Sequence, residues 1–465
     1  MSRRVIVVGG GMAGLVTAIA AAERGAQVTA LEAGPAVGGS MAISGGLVWS
    51  PATLEDARRW IPRGDERLQR IVVDEIAPGW EWLESHGLPL HPKATCMKHG
   101  FGHGRLMAMG DVGARQPFAD TMAASARELG AEVVVSARVT GVSRDGEHWT
   151  VTWTGDGGEH GAEAEAVVFA AGGFHNSKEL VSRFITTYPE ELVIRGNRQS
   201  DGVAIRSLTP LGAELSRDMH SFYGHTFPWA KGHEWDTKDF LPATMFYTDY
   251  CVLLNQLGLR FKDESVGVVD EHSAQVGSRQ PGGRYYTVFD ERIRRDYVDA
   301  DLVGIPGLPT TATAYRIGKL EQFGTKILKA DDIDSLAAAM EREFDVPAVN
   351  ILDSIKTFNE ASDPIRDLEP PRRESHTPLV EAPFWAIPSV AAITYTMGGL
   401  RVNEDMSVRG LGGTVFAAGA DAGNVYEDVY GGGLGWGLVS GRRAGAAAAG
   451  EPAPVGVAAA GAAAA

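Results

Sequence analysis

Gly9, Gly11 and Gly14 spell G-x-G-x-x-G, and Glu32 stands beyond them at the end of the next apolar run. The chemistry that needs this spacing is the holding of a dinucleotide. The first glycine permits a tight turn, the second lets backbone approach a pyrophosphate, and the third lets helix and strand pack closely. The helix that follows presents N–H groups and a partial positive charge to the phosphates. Glu32 can accept hydrogen bonds from ribose hydroxyls, whereas a 2′-phosphate would be repelled by it. Residues suited to moving a proton stand far downstream: Tyr223 and His225 in HSFYGHTFP, Tyr395 before T-M-G-G, and Tyr430 before Gly431, Gly432 and Gly433. Tyr223 and His225 share one side of an extended segment. The glycines after Tyr430 leave backbone N–H groups accessible, and a helix beginning near Leu434 directs its positive end toward negative charge.

Other clusters carry a bland reading beside the chemical one. Cys96, His99 and His103 in CMKHGFGHG have the residue types of a metal site. No fourth ligand is evident, and the glycines read as a loop over a pocket, so no metal is expected. Asp270, Glu271 and His272 read as a solvated loop, with proton transfer as the competing role. Arg260 reads as structural within its turn, and Arg442 and Arg443 suit the negative end of the last helix. Two cysteines, Cys96 and Cys251, exclude a disulfide framework and a chain-borne iron–sulfur cluster, and no Cys-x-x-Cys-His is present for haem.

The elements that must position these residues follow from periodicity. RVIVVGGGMAGLVTAIAAAERGAQVTALE (4–32) reads as strand, glycine turn, helix and strand, a βαβ opening whose first strand is apolar on both faces. Residues 118–130 read as a helix. AEVVVSARVTGV reads as a strand running into a hairpin that HWTVTW continues, and AVVFAAGGF (166–174) as a further buried strand. From about 230 to 360 the texture changes to aromatics, scattered charge and helices such as DIDSLAAAMEREF. Strands and glycines return from about 383 in AITYTMGGLRV and GTVFAAGADAG. The expected architecture is α/β, a Rossmann-like dinucleotide domain in two discontinuous parts (1–228 and 363–449) around an inserted α+β cap (229–362), with a low-complexity tail (450–465).

With 465 residues the chain holds two or three such units. A net charge of -16 argues against nucleic acid as a partner. No apolar run reaches the length of a membrane span, and Arg3 and Arg4 lead directly into a strand, so the expected address is the cytoplasm. FAD is favoured over NAD because VGGSMAISGG (37–46) follows Glu32 where a dehydrogenase would continue into a helix. VVFAAGG (167–173) and TVFAAGADAG (414–423) end in small residues that let backbone lie against an extended cofactor.

These segments, taken with GWEWLESHGL (79–88), SDGVAIRSLTPLGAEL (200–215), LLNQLGLRFKDES (253–265), SIKTFN (354–359), APFWA (382–386) and TMGGLRVNEDMSV (396–408), resemble the flavoprotein class of fumarate reductase, succinate dehydrogenase and 3-ketosteroid dehydrogenases. The resemblance implies a mobile cap and hydride transfer between flavin N5 and a substrate carbon, making or removing a C=C bond. The FAD positions expected are Gly9, Gly11, Ala13, Gly14, Glu32, Ala33, Gly39, Ser40, Gly45, Gly46, Val139, Ala171, Gly172, Gly419, Asp421, Gly433 and Gly435. Ser44 and its neighbours offer no histidine for covalent attachment, so the flavin is expected to be non-covalent.

Departures from the family pattern bear on the substrate. Val268 stands where fumarate-type enzymes place an arginine proton donor and steroid-type enzymes a general-base tyrosine. Tyr430 replaces a carboxylate-gripping arginine, and Thr394 and Tyr395 replace paired histidines. His225 does match the family's active-site histidine. Tyr247 falls at the start of the fumarate-type proton relay, which Ala243 and Thr244 break. Tyr430 also falls where ketosteroid dehydrogenases carry the tyrosine that hydrogen-bonds a substrate carbonyl. The expected activity is therefore a dehydrogenase or reductase of a C–C bond beside a carbonyl, in an uncharged or weakly charged organic molecule. Tyr430 polarises the carbonyl, and Tyr395, Tyr223 or His225 moves the proton. One alternative is a di- or tricarboxylate dehydrogenase holding its substrate by Arg195, Arg198, Arg279 or Arg284, and AGNV (422–425) resembles the tricarballylate branch. Another is an electron-transfer module with no substrate of its own. Either enzymatic reading calls for an external electron donor or acceptor as partner.

Overall fold

The computed structural model of the chain describes residues 2–96, 100–111, 113–146, 148–266, 271–299 and 317–452. His99, Val268, Asp270 and the tail from 453 lie outside the described residues. Arg4–Val8, buried from Val5 onward, runs near the middle of a five-stranded parallel sheet. The order is Val415–Ala417, Ala166–Phe169, Arg4–Val8, Gln27–Leu31, Glu132–Val134. A parallel sheet needs cover on both faces. Helices Met12–Ala22, Gln116–Glu128 and Gly433–Ala448 and the three-stranded meander Arg138–Asp145, His148–Gly155, Gly158–Ala164 pack with it into one apolar core.

The segment read as one strand running into a hairpin is divided instead. Glu132–Val134 joins the parallel sheet, Ser136 takes a left-handed φ of +53°, and Arg138 opens the meander. The break is held in place because Ser136 N donates to Gly34 O and Ala137 N to Glu32 O, both at 2.7 Å. It turns the chain around the loop that follows Glu32.

A second, six-stranded sheet is organised by the thirteen-residue strand Phe384–Thr396. Its first half pairs antiparallel with Arg284–Asp290, and its second half with Phe222–Pro228. This register sets Tyr223 directly opposite Tyr395 and His225 opposite Ala392, with a bulge between Tyr223 and Gly224. A separate apolar core is built from residues between Met245 and Ile387, including helices Ile333–Phe344 and Ala348–Glu360. Among the described residues no helix is long and apolar enough to cross a membrane.

Helix Met12–Ala22 starts on Gly11, whose carbonyl accepts from Leu15 N at 2.9 Å. A Cβ on Gly14 would stand 1.9 Å from the Gly9 carbonyl oxygen. Gly14→Ala is therefore expected to push the helix off the strand, at a cost of about 1–3 kcal/mol, and to lower bound flavin. Thermal denaturation and the 450 nm to 280 nm absorbance ratio of the purified protein check this, and unchanged values would contradict it.

Candidate active site

One cleft runs from the end of the second parallel strand to the start of the last helix. Gly9, Gly11, Ala13, Glu32, Ala33, Gly39, Ser40, Val139, Ala171, Gly172, Gly419 and Gly433 line it, with Tyr223, Tyr395 and Tyr430 at one end. Gly11 leaves the approach open, since a Cβ there would find nothing closer than Gly38 O at 3.8 Å. Glu32 is buried, and its two oxygens accept from Gly10 N at 2.8 Å and Gly34 N at 2.7 Å. Each oxygen keeps a second lone pair for a ribose hydroxyl. The donor set, an open glycine turn at a helix N-terminus with a carboxylate beyond it, fits the AMP half of FAD.

The opposite end is aromatic. The Tyr223 and Tyr430 rings stack with centroids 3.8 Å apart and 21° between planes. Trp49 meets Tyr430 edge-on at 5.4 Å, and Tyr395 lies 5.7 Å from Tyr223. Behind them, buried His225 places Nε2 3.0 Å from the Tyr223 hydroxyl without itself lining the cleft. The Tyr430 hydroxyl accepts from Gly433 N at 3.0 Å. Gly433 opens the sixteen-residue helix Gly433–Ala448, so this N–H is one of the unsatisfied donors at a positive helix end. The glycines suggest an N–H free to meet a substrate, whereas in the structure it donates to the phenol. A hydroxyl oxygen that accepts an N–H can still donate its own proton.

The Tyr395 hydroxyl is shut off from solvent and has no hydrogen-bond partner among the described residues. Burial holds its phenol well above the ordinary tyrosine range, and the neighbouring Tyr430, Tyr426, Tyr223 and Glu271 add to the effect. Tyr395 therefore stays protonated at working pH, which suits it to donating a hydrogen bond and not to acting as a base.

Gly14, Gly45, Gly46, Asp421 and Gly435 do not line the cleft. Asp421 is buried, and its carboxylate accepts from Ala171 N and Gly173 N. Burial raises it to about 6 against the pull of those two N–H groups. Its place is behind the Ala171–Gly173 backbone, which it locks. Asn197, Gln199, Ser200 and Trp436 also line the cleft, and Trp49 borders it against Tyr430, although no sequence motif marks them. Ser40 ties Asn197 to the cleft, its Oγ accepting from Asn197 N at 3.1 Å, a link between distant segments that no local pattern signals.

Glu271 and His272 do not form a solvated loop. They open the helix Glu271–Gly277, Glu271 is 3% exposed, and burial with nearby Lys262 lowers His272 to about 3. His103 sits in a strand against the Trp80 ring, and burial with Lys93 lowers it to about 4. Among the described residues no group of three His, Cys, Asp or Glu side chains could hold a metal ion. Tyr247 is buried in the second core, away from the cleft. Arg195 donates to Thr394 Oγ1 at 2.8 Å, Arg279 to the Ile185 carbonyl at 3.1 Å, and Arg284 pairs with Glu191. None of these lines the cleft, nor does Arg198. The one described arginine that does, Arg138, pairs with Asp201 at 2.8 Å beside Gln199.

A model of the FAD binding domain matches residues 4–434. The chain belongs to the FAD binding domain family. FAD is its cofactor, and it is an FAD-dependent oxidoreductase. A probable fumarate reductase of Shewanella frigidimarina is 24% identical over 91% of this chain and 70% of its own length. A vinyl phenol reductase of Lactiplantibacillus plantarum is 24% identical over 95% of both chains. Among solved structures, the 3-ketosteroid-delta4-(5alpha)-dehydrogenase of Rhodococcus jostii in complex with 4-androstene-3,17-dione aligns with a TM-score of 0.71 at 19% identity. That match spans 96% of this chain and 97% of that one, and shows a shared fold. The resemblance read from the sequence is thus that of the chain's own family.

No histidine or cysteine lines the cleft among the described residues. Acid precipitation of the yellow protein is accordingly expected to leave FAD in the supernatant, identified by chromatography against FMN. Flavin retained on the precipitated chain would contradict this.

Proposed function

We propose that this FAD binding domain protein makes or reduces a C=C bond next to a carbonyl in an uncharged or weakly charged organic molecule. The observation that carries the reading is the Tyr430 hydroxyl held on Gly433 N, at the N-terminus of a long helix, inside an aromatic end of the cleft. A carbonyl oxygen placed against this phenol gains a donor backed by the helix end, and the negative charge that develops there is stabilised. FAD, when bound, supplies or accepts the hydride. Tyr223, with His225 behind it at 3.0 Å, provides the route for the proton. Tyr395 adds a phenol that burial keeps protonated at the same end. The cap, residues 229–362, closes over this end and excludes water, with residues 1–228 and 363–449 holding the cofactor, and the protein works in the cytoplasm with an external electron partner.

A second reading, a di- or tricarboxylate reductase, is favoured by relatives named as fumarate reductases. Against it, no arginine stands beside Tyr223, Tyr395 or Tyr430 among the cleft-lining described residues. A dicarboxylate brought there would lose its hydration with no cation among the described side chains lining that end. Fumarate turnover with reduced dye is expected to fall below about 1 s⁻¹, the low end of ordinary enzymatic rates. Fumarate reduction above that rate would establish the second reading.

The decisive variant is Tyr430→Phe, which removes one hydroxyl and almost no volume, so folding and FAD content are expected to survive. With an enone substrate from a panel, stopped-flow flavin absorbance is expected to show a rate lowered on the order of 10²–10³-fold. A change under about threefold, below 1 kcal/mol at the transition state, would mean that Tyr430 only packs, and the carbonyl mechanism would fall.

A further inference from the structure

The chain enters Tyr430 through a turn that side chains other than glycine adopt reluctantly. Glu427 and Asp428 have φ of +45° and +64°, a left-handed region open to glycine and costly for most residues. Val429 N donates to Glu427 O at 2.8 Å and closes a three-residue turn around Asp428. Such a turn persists only where its surroundings hold it, and here the holding groups come from three separate segments. Ser221 Oγ donates to Asp428 Oδ1 at 3.2 Å, and His220 Nε2 lies 3.3 Å from the same oxygen. Arg63 pairs with Asp428 Oδ2. Gln275, on the helix Glu271–Gly277, donates to the Asp428 carbonyl at 2.7 Å. Upstream, Asn424 has a φ of +77°, its N–H is accepted by both Asp218 oxygens at 3.0 Å, and its carbonyl accepts from Asp65 N at 2.7 Å. These interactions fix the turn two residues ahead of Tyr430, and through it the reach of the phenol to Gly433 N.

We propose that Asp428 is a positioning residue for the reaction: its carboxylate, clamped by Arg63, His220 and Ser221, holds the Tyr430 hydroxyl on the Gly433 N–H and so sets the geometry of the carbonyl-polarising group. This rests on the reading of Tyr430 given above. A carboxylate that only stitches the surface together would add to overall stability without acting through the phenol.

The test uses the FAD-loaded protein and 4-nitrophenolate, whose oxyanion mimics the developing charge and whose absorbance reports its environment. Dissociation constants are measured for wild type, Asp428→Asn, Tyr430→Phe and the double variant, with FAD content checked for each. Asparagine tolerates the left-handed φ and keeps an acceptor for Ser221, so the fold and the cofactor are expected to be retained. Each single variant is expected to weaken 4-nitrophenolate about tenfold, the scale of one hydrogen bond to a charged group. The double variant is expected to be no weaker than Tyr430→Phe alone, because the two act through one hydroxyl. Wild-type affinity in Asp428→Asn, or losses that multiply in the double variant, would overturn the positioning role while leaving Tyr430 in place. A Tyr430→Phe variant that binds the probe as wild type would overturn the reading of Tyr430 and the proposal with it. Should Asp428→Asn not fold, Arg63→Gln removes the same ion pair from an exposed side chain, and the same pattern with Tyr430→Phe decides the matter.

Discussion

Everything at the site depends on how closely the first and last helices cross. Gly437, Gly441 and Gly445 recur one turn apart on Gly433–Ala448 and face Met12–Ala22. A Cβ on Gly441 would stand 2.7 Å from the Ala13 carbonyl oxygen, and one on Gly445 2.7 Å from that of Thr17. Thr17 Oγ1 reaches the carbonyls of both Ala13 and Gly441, tying the two backbones at the crossing. With larger residues the helices would separate by the width of a side chain. As built, two helix N-termini from opposite ends of the sequence open into one cleft, one beside Gly11 and the other beside Tyr430.

That convergence divides the chemistry between two fields of the same sign. The first helix end, with the open approach at Gly11, suits pyrophosphate. The second meets the Tyr430 phenol through Gly433 N, the group proposed to face a substrate oxygen. The parallel sheet supplies the first end and the long strand Phe384–Thr396 supplies the wall around the second, because its register sets Tyr395 opposite Tyr223. In the proposed reading, redox chemistry and carbonyl polarisation thus rest on different sheets and meet where the last helix begins.

Much of the nucleotide half was legible in the sequence because its signals are local. Gly9, Gly11, Gly14 and Glu32 lie within one βαβ unit, and each requirement acts on neighbouring backbone. The aromatic end was legible only residue by residue. Tyr223, Tyr395 and Tyr430 stood out singly, but their stacking is a product of strand register and of a bulge at Tyr223, set by residues far apart in the chain. Asp421 was placed on the cofactor, and its burial behind the Ala171–Gly173 backbone became visible only in three dimensions. Glu271 and His272 looked solvated because charged residues usually are. Their burial follows from a helix packed across Phe222–Pro228, which short-range pattern does not reveal.

The claim that the helix crossing creates the cofactor site is tested most directly by titrating FAD into apo-protein carrying Gly441→Leu and following flavin fluorescence. Overpacking of about 1–3 kcal/mol at this contact is expected to weaken FAD roughly tenfold to a hundredfold, with the parallel sheet still folded by circular dichroism. An FAD dissociation constant within about threefold of wild type would show that the cleft forms without the close crossing, and would contradict the account.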